Sequence, residues 1–450
     1  MNRILSLTVI FLLVFTGCVR EENRTPTELS QQWENPTVVQ TQPPQSPMTD
    51  PELLDPTDPL KENVMVYSDF KGIWLSQFDL SPIYLENGVQ RGEADFVNRM
   101  AQVLDNVKML GFNTVMLQIR PYGDSMYPSV YYPMSKYVVG QYGNVAQYDP
   151  VAIIVELAKE RNLAIHAWIN PMRCMETEEI CRISDDYPIR QWYDDPNRNG
   201  TWIVHSGKYW YLNPAYEEVR NLIIAGAAEI LERYDFDGLH MDDYFYPTSD
   251  ASFDAVAYAE LGGGLSLEEF RRNNLNKLVA SLYETTKEFH QSIMFGISPA
   301  GNMNTVYQQQ YADVYTWCSE EGYIDYICPQ VYFGLEHQNF DFVSVCNTWQ
   351  DIILGDNIDL IIGMSFEKAL TLTDNYAGTG QNEWREHTDI LKRCLQYTVE
   401  LEKCSGVCVF SYQHFYDPVT GEEIAGTAAE REEFVPALAT TTWWHRGGVG

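Results

Sequence analysis

From about residue 69 the chain repeats one unit, a short apolar run that reads as buried on both faces followed by a longer amphipathic stretch. The short runs fall at 71–76, 113–119, 163–169, 236–242, 293–298, 324–330, 359–364 and 407–412. Helical patterns at 94–110, 150–161, 216–233, 266–290, 310–321, 340–353 and 383–402 separate them. Runs such as NTVMLQI and LAIHAWI lack the alternation of a half-exposed strand, so they predict a parallel sheet covered on both sides. Eight such units over roughly 340 residues predict an α/β fold of one kind, the (β/α)8 TIM barrel. No GxGxxG follows the first run, which argues against a dinucleotide-binding sheet.

The links from strand to helix are long, the third spanning 170–215, and in a barrel of this type those loops build the active site. Polar residues gather at the matching strand ends: Arg120 and Asp124 after the second, Asn170 after the third, and His240, Asp242 and Asp243 at the fourth. Ser298 follows at the fifth, Gln330 and Tyr332 at the sixth and Glu367 after the seventh. Period-two alternation through FDGLHMDD puts His240 and Asp242 on one face and turns Asp243 to the other face or into the loop. Asp237 then belongs to the buried entrance end of the strand. Glycosidic hydrolysis commonly uses two carboxyl groups. Asp242 is the first, and the second is open among Asp243, Asp124 and Glu367. Asp243 reads equally as a loop cap or the ligand of a structural cation. Trp74, Trp168, Tyr244 and Tyr332 offer faces for stacking on sugar rings. For the two tryptophans, core packing is the competing reading.

Only His166 and His240 of the eight histidines lie in strands. One histidine beside carboxylates is not a metal signature, so no metal site and no cofactor are expected, and His166 reads as a core residue. Arg120 either clamps a substrate carboxylate or pairs with Asp124. The 30 Lys and Arg against 63 Asp and Glu give a net charge of -33. That balance argues against a basic surface for nucleic-acid phosphates or anionic lipid and points to a neutral or cationic partner. At the N-terminus Arg3 precedes an apolar run over 4–15, too short for the roughly 20 residues of a membrane span. Residues 1–17 therefore read as a signal peptide. Thr16-Gly17-Cys18 at its end reads as a lipobox with Cys18 the lipidated residue, giving a membrane-anchored chain that faces outside the cytoplasm. Residues 18–68, rich in Pro, Thr, Gln and Glu, read as a disordered tether, and 69–440 as the barrel. Cys174 and Cys181 flank a polar loop and are the expected disulfide of an exported protein, while Cys328 and Cys408 read as small core residues.

The blocks FKGIWLS, LGFNTVMLQIRPYGDSMYPS, YDPVAIIVELAKERNLAIHAWINPMR, YLNPAYEEVR, RYDFDGLHMDDYFYP, FGISPAGN, YADVYTW, GYIDYICPQVYF and GVCVFSY occur in that order over about 69–412. This series resembles the glycosyl hydrolase-like 10 family. The resemblance implies a TIM barrel, often on bacterial envelope lipoproteins, distantly related to the α-amylase-like glycosidases. Some members are implicated in cleaving the glycan strands of peptidoglycan. In those glycosidases the end of strand four holds the nucleophilic aspartate, with a basic residue two positions before it; here these positions are Asp242 and His240. The relatives keep their acid as a glutamate at strand five, whereas this chain has Ile297-Ser298-Pro299. Asp124 in RPYGDSMY and Gln330 with Tyr332 in PQVYF match family blocks and fit substrate contact. The expectation is an exported, lipid-anchored glycoside hydrolase acting on an envelope or extracellular glycan. The acid is Asp243 or Asp124, and Trp74, Arg120, Asn170, His240, Tyr244, Gln330 and Tyr332 bind substrate. The alternatives are a glycan-binding barrel without activity and a metal-dependent amide or ester hydrolase.

Overall fold

The structure, a computed structural model, describes residues 64–443. The signal peptide, Cys18 and nearly all of the tether lie outside the described residues. Eight parallel strands close into a barrel in sequential order: β1 Phe70–Leu75, β2 Thr114–Arg120, β3 Ala164–Ile169, β4 Gly238–Met241, β5 Met294–Ile297, β6 Tyr326–Ile327, β7 Asp359–Ser365 and β8 Cys404–Phe410. β8 returns to pair with β1 through Phe70↔Gly406 and its neighbours, so the sheet has no edge.

Alternation along each strand divides the apolar residues between two cores. Phe70, Trp74, Met116, Trp168, Tyr326, Cys328, Ile361 and Cys408 face inward and fill the lumen. Ile73, Leu75, Val115, Leu117, Leu239 and Ile297 face outward, into the layer covered by helices. Small residues stand opposite large ones inside the barrel. A Cβ on Gly238 would enter the His166 ring, and one on Gly296 the Tyr326 ring.

The main covering helices are α1 Gln77–Tyr84, α2 Glu93–Met109, α3 Pro150–Glu160, α4 Glu217–Arg233, α5 Leu267–Phe289, α6 Phe342–Ile352, α7 Ile390–Thr398 and α8 Ala428–Thr440. In α2 the buried Phe96, Met100, Val103, Leu104 and Val107 form one stripe at helical spacing, each worth about 1.5–3 kcal/mol on burial. Ser76 starts α1 with a reciprocal capping box to Asp79. Asp149 caps α3 with Pro150 in its first turn, and Ser266 caps α5 by a box with Glu269.

Several sequence expectations need correction. The helix read at 310–321 shrinks to Val314–Trp317, because Tyr311 takes φ 58 and breaks the spiral before Asp313 caps what remains. The helix read at 383–402 is two, Glu383–Glu386 and Ile390–Thr398, parted by extended backbone at His387. β6 pairs over only two residues because Pro329 has no N–H for the ladder, although Gln330 still bridges Ala300 and Gly363. The loop at 170–215 contains two short helices and a hairpin of Ile203–Ser206 with Tyr209–Leu212. No disulfide joins Cys174 and Cys181. The Cys174 thiol lies under Gly123, where a Cβ would sit 2.8 Å from its sulfur, and the Cys181 thiol faces the Tyr193 hydroxyl at 3.9 Å. Cys328 and Cys408 are core residues of the lumen, as read.

Candidate active site

The lumen is closed from below by a polar stack. Trp74 Nε1–H donates to His240 Nε2 at 3.3 Å, so in the neutral ring the proton is on Nδ1, which faces the Tyr326 hydroxyl at 2.9 Å. The hydroxyl in turn donates to His166 Nδ1 at 3.1 Å. Burial pushes the pKa of both histidines down, His166 to about 3 and His240 well below its ordinary value. His240, 0% exposed, therefore fixes Trp74 from beneath and does not line the cavities above it. His166 is a core histidine, as read.

Above this stack β4 delivers Asp242, which continues the inward series of Gly238 and His240. Its two oxygens accept four N–H groups from three sides. Oδ2 takes Trp168 Nε1–H at 3.2 Å and Asn170 Nδ2–H at 2.9 Å. Oδ1 takes Gln330 Nε2–H at 3.1 Å and the Asp243 backbone N–H at 2.8 Å. Two of these donors, Asn170 and Gln330, are themselves held. Asn170 Oδ1 accepts from Gln118 Nε2 at 2.7 Å, and Gln118 Oε1 accepts the Gln77 N–H at 2.8 Å. Gln330 Nε2 also donates to the Ser298 carbonyl at 3.1 Å. Asn170 is thus a positioning residue behind Asp242, away from the cavity surface.

Two cavities open on this rim. The first, about 210 Å³, has Trp74, Trp168, Tyr332 and Phe410 as aromatic walls, with Asp242 and Gln330 among its polar groups. The second, about 470 Å³, is lined by Tyr211, Tyr246, Thr248, Ser249, Thr305, Gln309 and Gln310 among others. Asp243 and Tyr244 line both and stand between them. Burial first, and then the Asp242 charge, push the Asp243 carboxyl well above the ordinary aspartate range. Asp242 is an acceptor on every side, so the proton of this pair belongs to Asp243. Tyr244, 40% exposed, rests under the Arg173 guanidinium, 3.5 Å from the centre of its ring.

The structure thus brings together Asp242, Asp243, Trp74, Tyr244, Gln330 and Tyr332, with Asn170 and His240 behind them. Asp124 is not among them. It is fully buried to one side, where it accepts from the Tyr122 N–H at 2.8 Å and the Tyr142 hydroxyl at 2.9 Å. Glu367 is exposed in the short helix after β7 and lines neither cavity. Arg120 turns away as well. A register shift between Gln118 and Arg120 leaves Gln118 facing in and carries Arg120 outward, 3.8 Å from the centre of the Tyr132 ring and against Gly226 of α4. A Cβ on Gly226 would lie 2.7 Å from Arg120 Nη1. The expected Arg120–Asp124 pair is absent among the described ion pairs. Sequence reading missed Gln118, Arg173, Gln77 and Phe410. Gln118 had a signal, two positions from inward Met116, whereas Arg173 sits in an irregular loop and had none. Among the described residues no set of three or more His, Cys, Asp and Glu side chains converges as a metal-ligand cluster.

Residues 69–376 match the family described as glycosyl hydrolase-like 10. The chain is 34% identical over 288 residues to the glycosyl hydrolase YngK of Bacillus subtilis, covering 59% of this chain and 55% of that one. It therefore spans about half the length of that relative. It is 28% identical over 413 residues to the glycosyl hydrolase DigH of Escherichia coli K12, 85% of this chain and 91% of that one. Among solved structures, the catalytic domain of a β-amylase from Paenibacillus polymyxa superposes with a TM-score of 0.51. The match has 10% identity over 83% of this chain and 99% of that chain, a likeness of fold.

Proposed function

Because this chain belongs to the glycosyl hydrolase-like 10 family, we propose that it is an exported glycoside hydrolase. It is held to a membrane by lipid on Cys18 and cleaves O-glycosidic bonds of an envelope or extracellular glycan, peptidoglycan strands being the first to test. The observation that carries this reading is the place of Asp243 between two cavities with Asp242 at its side, where burial and the Asp242 charge raise its carboxyl well above the ordinary aspartate range. A glycan lying across the rim sets one sugar in the aromatic cavity and the next in the polar one, with the bridging oxygen at Asp243. Asp243 then gives its proton to that leaving oxygen. Asp242 supports the positive charge that grows on the sugar in the first cavity. Tyr332 and Phe410 shape the pocket, and Tyr244 offers its exposed face to a ring.

The test is incubation of the full chain with purified peptidoglycan, with and without peptide stems, and with a panel of other glycans, followed by mass analysis of products. New reducing ends are expected from wild type, and Asp242→Asn is expected to lose turnover while still binding. Binding without release of reducing ends from any glycan would leave a non-catalytic glycan-binding barrel instead.

A further inference from the structure

Two protein carboxyl groups that share a glycosidic hydrolysis stand about 5–5.5 Å apart for retention or about 6.5–9.5 Å apart for inversion. That gap holds the anomeric carbon or a water. Asp242 and Asp243 are consecutive residues, the Asp243 N–H donating to Asp242 Oδ1 at 2.8 Å, and the Asp242 charge is close enough to raise the Asp243 carboxyl, so the pair does not face across such a gap. No third acid stands by. Among the described residues, Asp242 and Asp243 are the only Asp or Glu lining either cavity. Asp242 is also badly placed to attack carbon, since four N–H donors already occupy its two oxygens, about all the lone-pair sites a carboxylate has. Bonding to carbon would strand some of those buried donors. The site supplies one acid and one fixed anion, and the nucleophile has to come from elsewhere.

We propose that the nucleophile is the substrate's own 2-acetamido oxygen, so that the sugar in the aromatic cavity is a 2-acetamido-2-deoxyhexose. This rests on the glycoside hydrolase reading above. In the first step the Asp243 proton moves to the glycosidic oxygen, and the C1–O bond breaks with its electron pair going to that oxygen. The acetamido carbonyl oxygen bonds to C1. The leaving glycan departs as an alcohol, and the sugar becomes a bicyclic oxazolinium cation facing the negative Asp242. In the second step water gives a proton to the Asp243 carboxylate while its oxygen bonds to C1. The bond from C1 to the acyl oxygen breaks and its electron pair returns to the amide. Configuration at C1 is retained and Asp243 is protonated again. The adjacency that defeats a two-carboxylate mechanism suits this one. The acid works at the bond toward the second cavity, while the charge of the anion offsets the cation formed beneath the ring in the first. Trp74, Trp168, Tyr332 and Phe410 give the acetamido methyl an apolar wall.

The test supplies the full chain with peptide-free glycan strands that have been de-N-acetylated and then re-acylated with acetyl or with trifluoroacetyl groups. Fluorine withdraws electrons from the carbonyl oxygen, so release of reducing ends should fall by more than about tenfold on the trifluoroacetyl strands. Equal rates on the two would overturn the proposal. So would an inverted glycosyl azide from Asp242→Ala in sodium azide, because that product forms where a protein nucleophile has been removed. Cleavage confined to glycans without acetamido groups also overturns it, but leaves the hydrolase reading standing. If no glycan in any panel is cut, the hydrolase reading itself falls and this proposal with it.

Discussion

Burial and the neighbouring Asp242 charge raise the Asp243 carboxyl well above the ordinary aspartate range, and the direction of that shift ties activity to stability. At pH below that range Asp243 is protonated in both the folded and unfolded chain, and nothing is lost. As pH rises, the unfolded chain gives up the proton first while the fold keeps it, so stability falls until the pH passes the raised value. Asp243→Asn has no proton to lose. Its melting temperature should equal that of wild type at the acid end and exceed it increasingly toward neutral pH, as thermal unfolding across a pH series will read. The same substitution should lower kcat by about 10²- to 10⁴-fold with glycan affinity nearly kept. In wild type, the fall of kcat/KM on the alkaline side should lie well above the range of an ordinary aspartate.

At the scale of elements, the register shift in β2 decides the roles of three neighbours. It keeps Gln118 on the relay to Asp242 and sends Arg120 to the helix layer. Arg120→Met should therefore leave kcat and KM within about twofold, since the side chain packs on Tyr132 and meets neither cavity. A large rise in KM in steady-state kinetics would return Arg120 to the substrate. Arg173→Ala should act oppositely. Removing the cation above Tyr244 and Tyr122 should weaken glycan binding by about 0.5–2 kcal/mol, readable by calorimetry. These cases mark what could be read beforehand. The eight strands were legible because a strand buried on both faces must be apolar throughout, and His240 and Asp242 were legible because alternation holds along β4. Arg120 was misread because one extra residue in β2 reverses the alternation, which a sequence pattern does not announce. The helix at 310–321 failed at one positive-φ tyrosine, Tyr311. Asp124 was misread because an acid in a matching block can serve a loop, here by accepting from Tyr122 and Tyr142.

At the scale of the molecule, the barrel has two faces with different duties. The face at the strand C-termini carries both cavities, and the opposite face is tied by acids at strand entrances. Asp325 accepts the Phe295 N–H at 2.6 Å and pairs with Lys287 at 2.7 Å. Asp237 accepts the Ile165 N–H at 2.8 Å and the Lys159 ammonium at 2.6 Å. Cys18→Ser should move the chain from the membrane to the soluble fraction without changing kcat on a soluble glycan, and fractionation with an activity assay will check both parts. Asp237 has one more partner, the Met65 N–H at 2.7 Å, and this contact sets a direction. At Met65 the described chain is moored at the pole opposite the catalytic mouth. A glycan crossing the two cavities therefore meets the barrel on the face away from Met65, and a substitution at Asp237 can loosen that mooring without touching the rim.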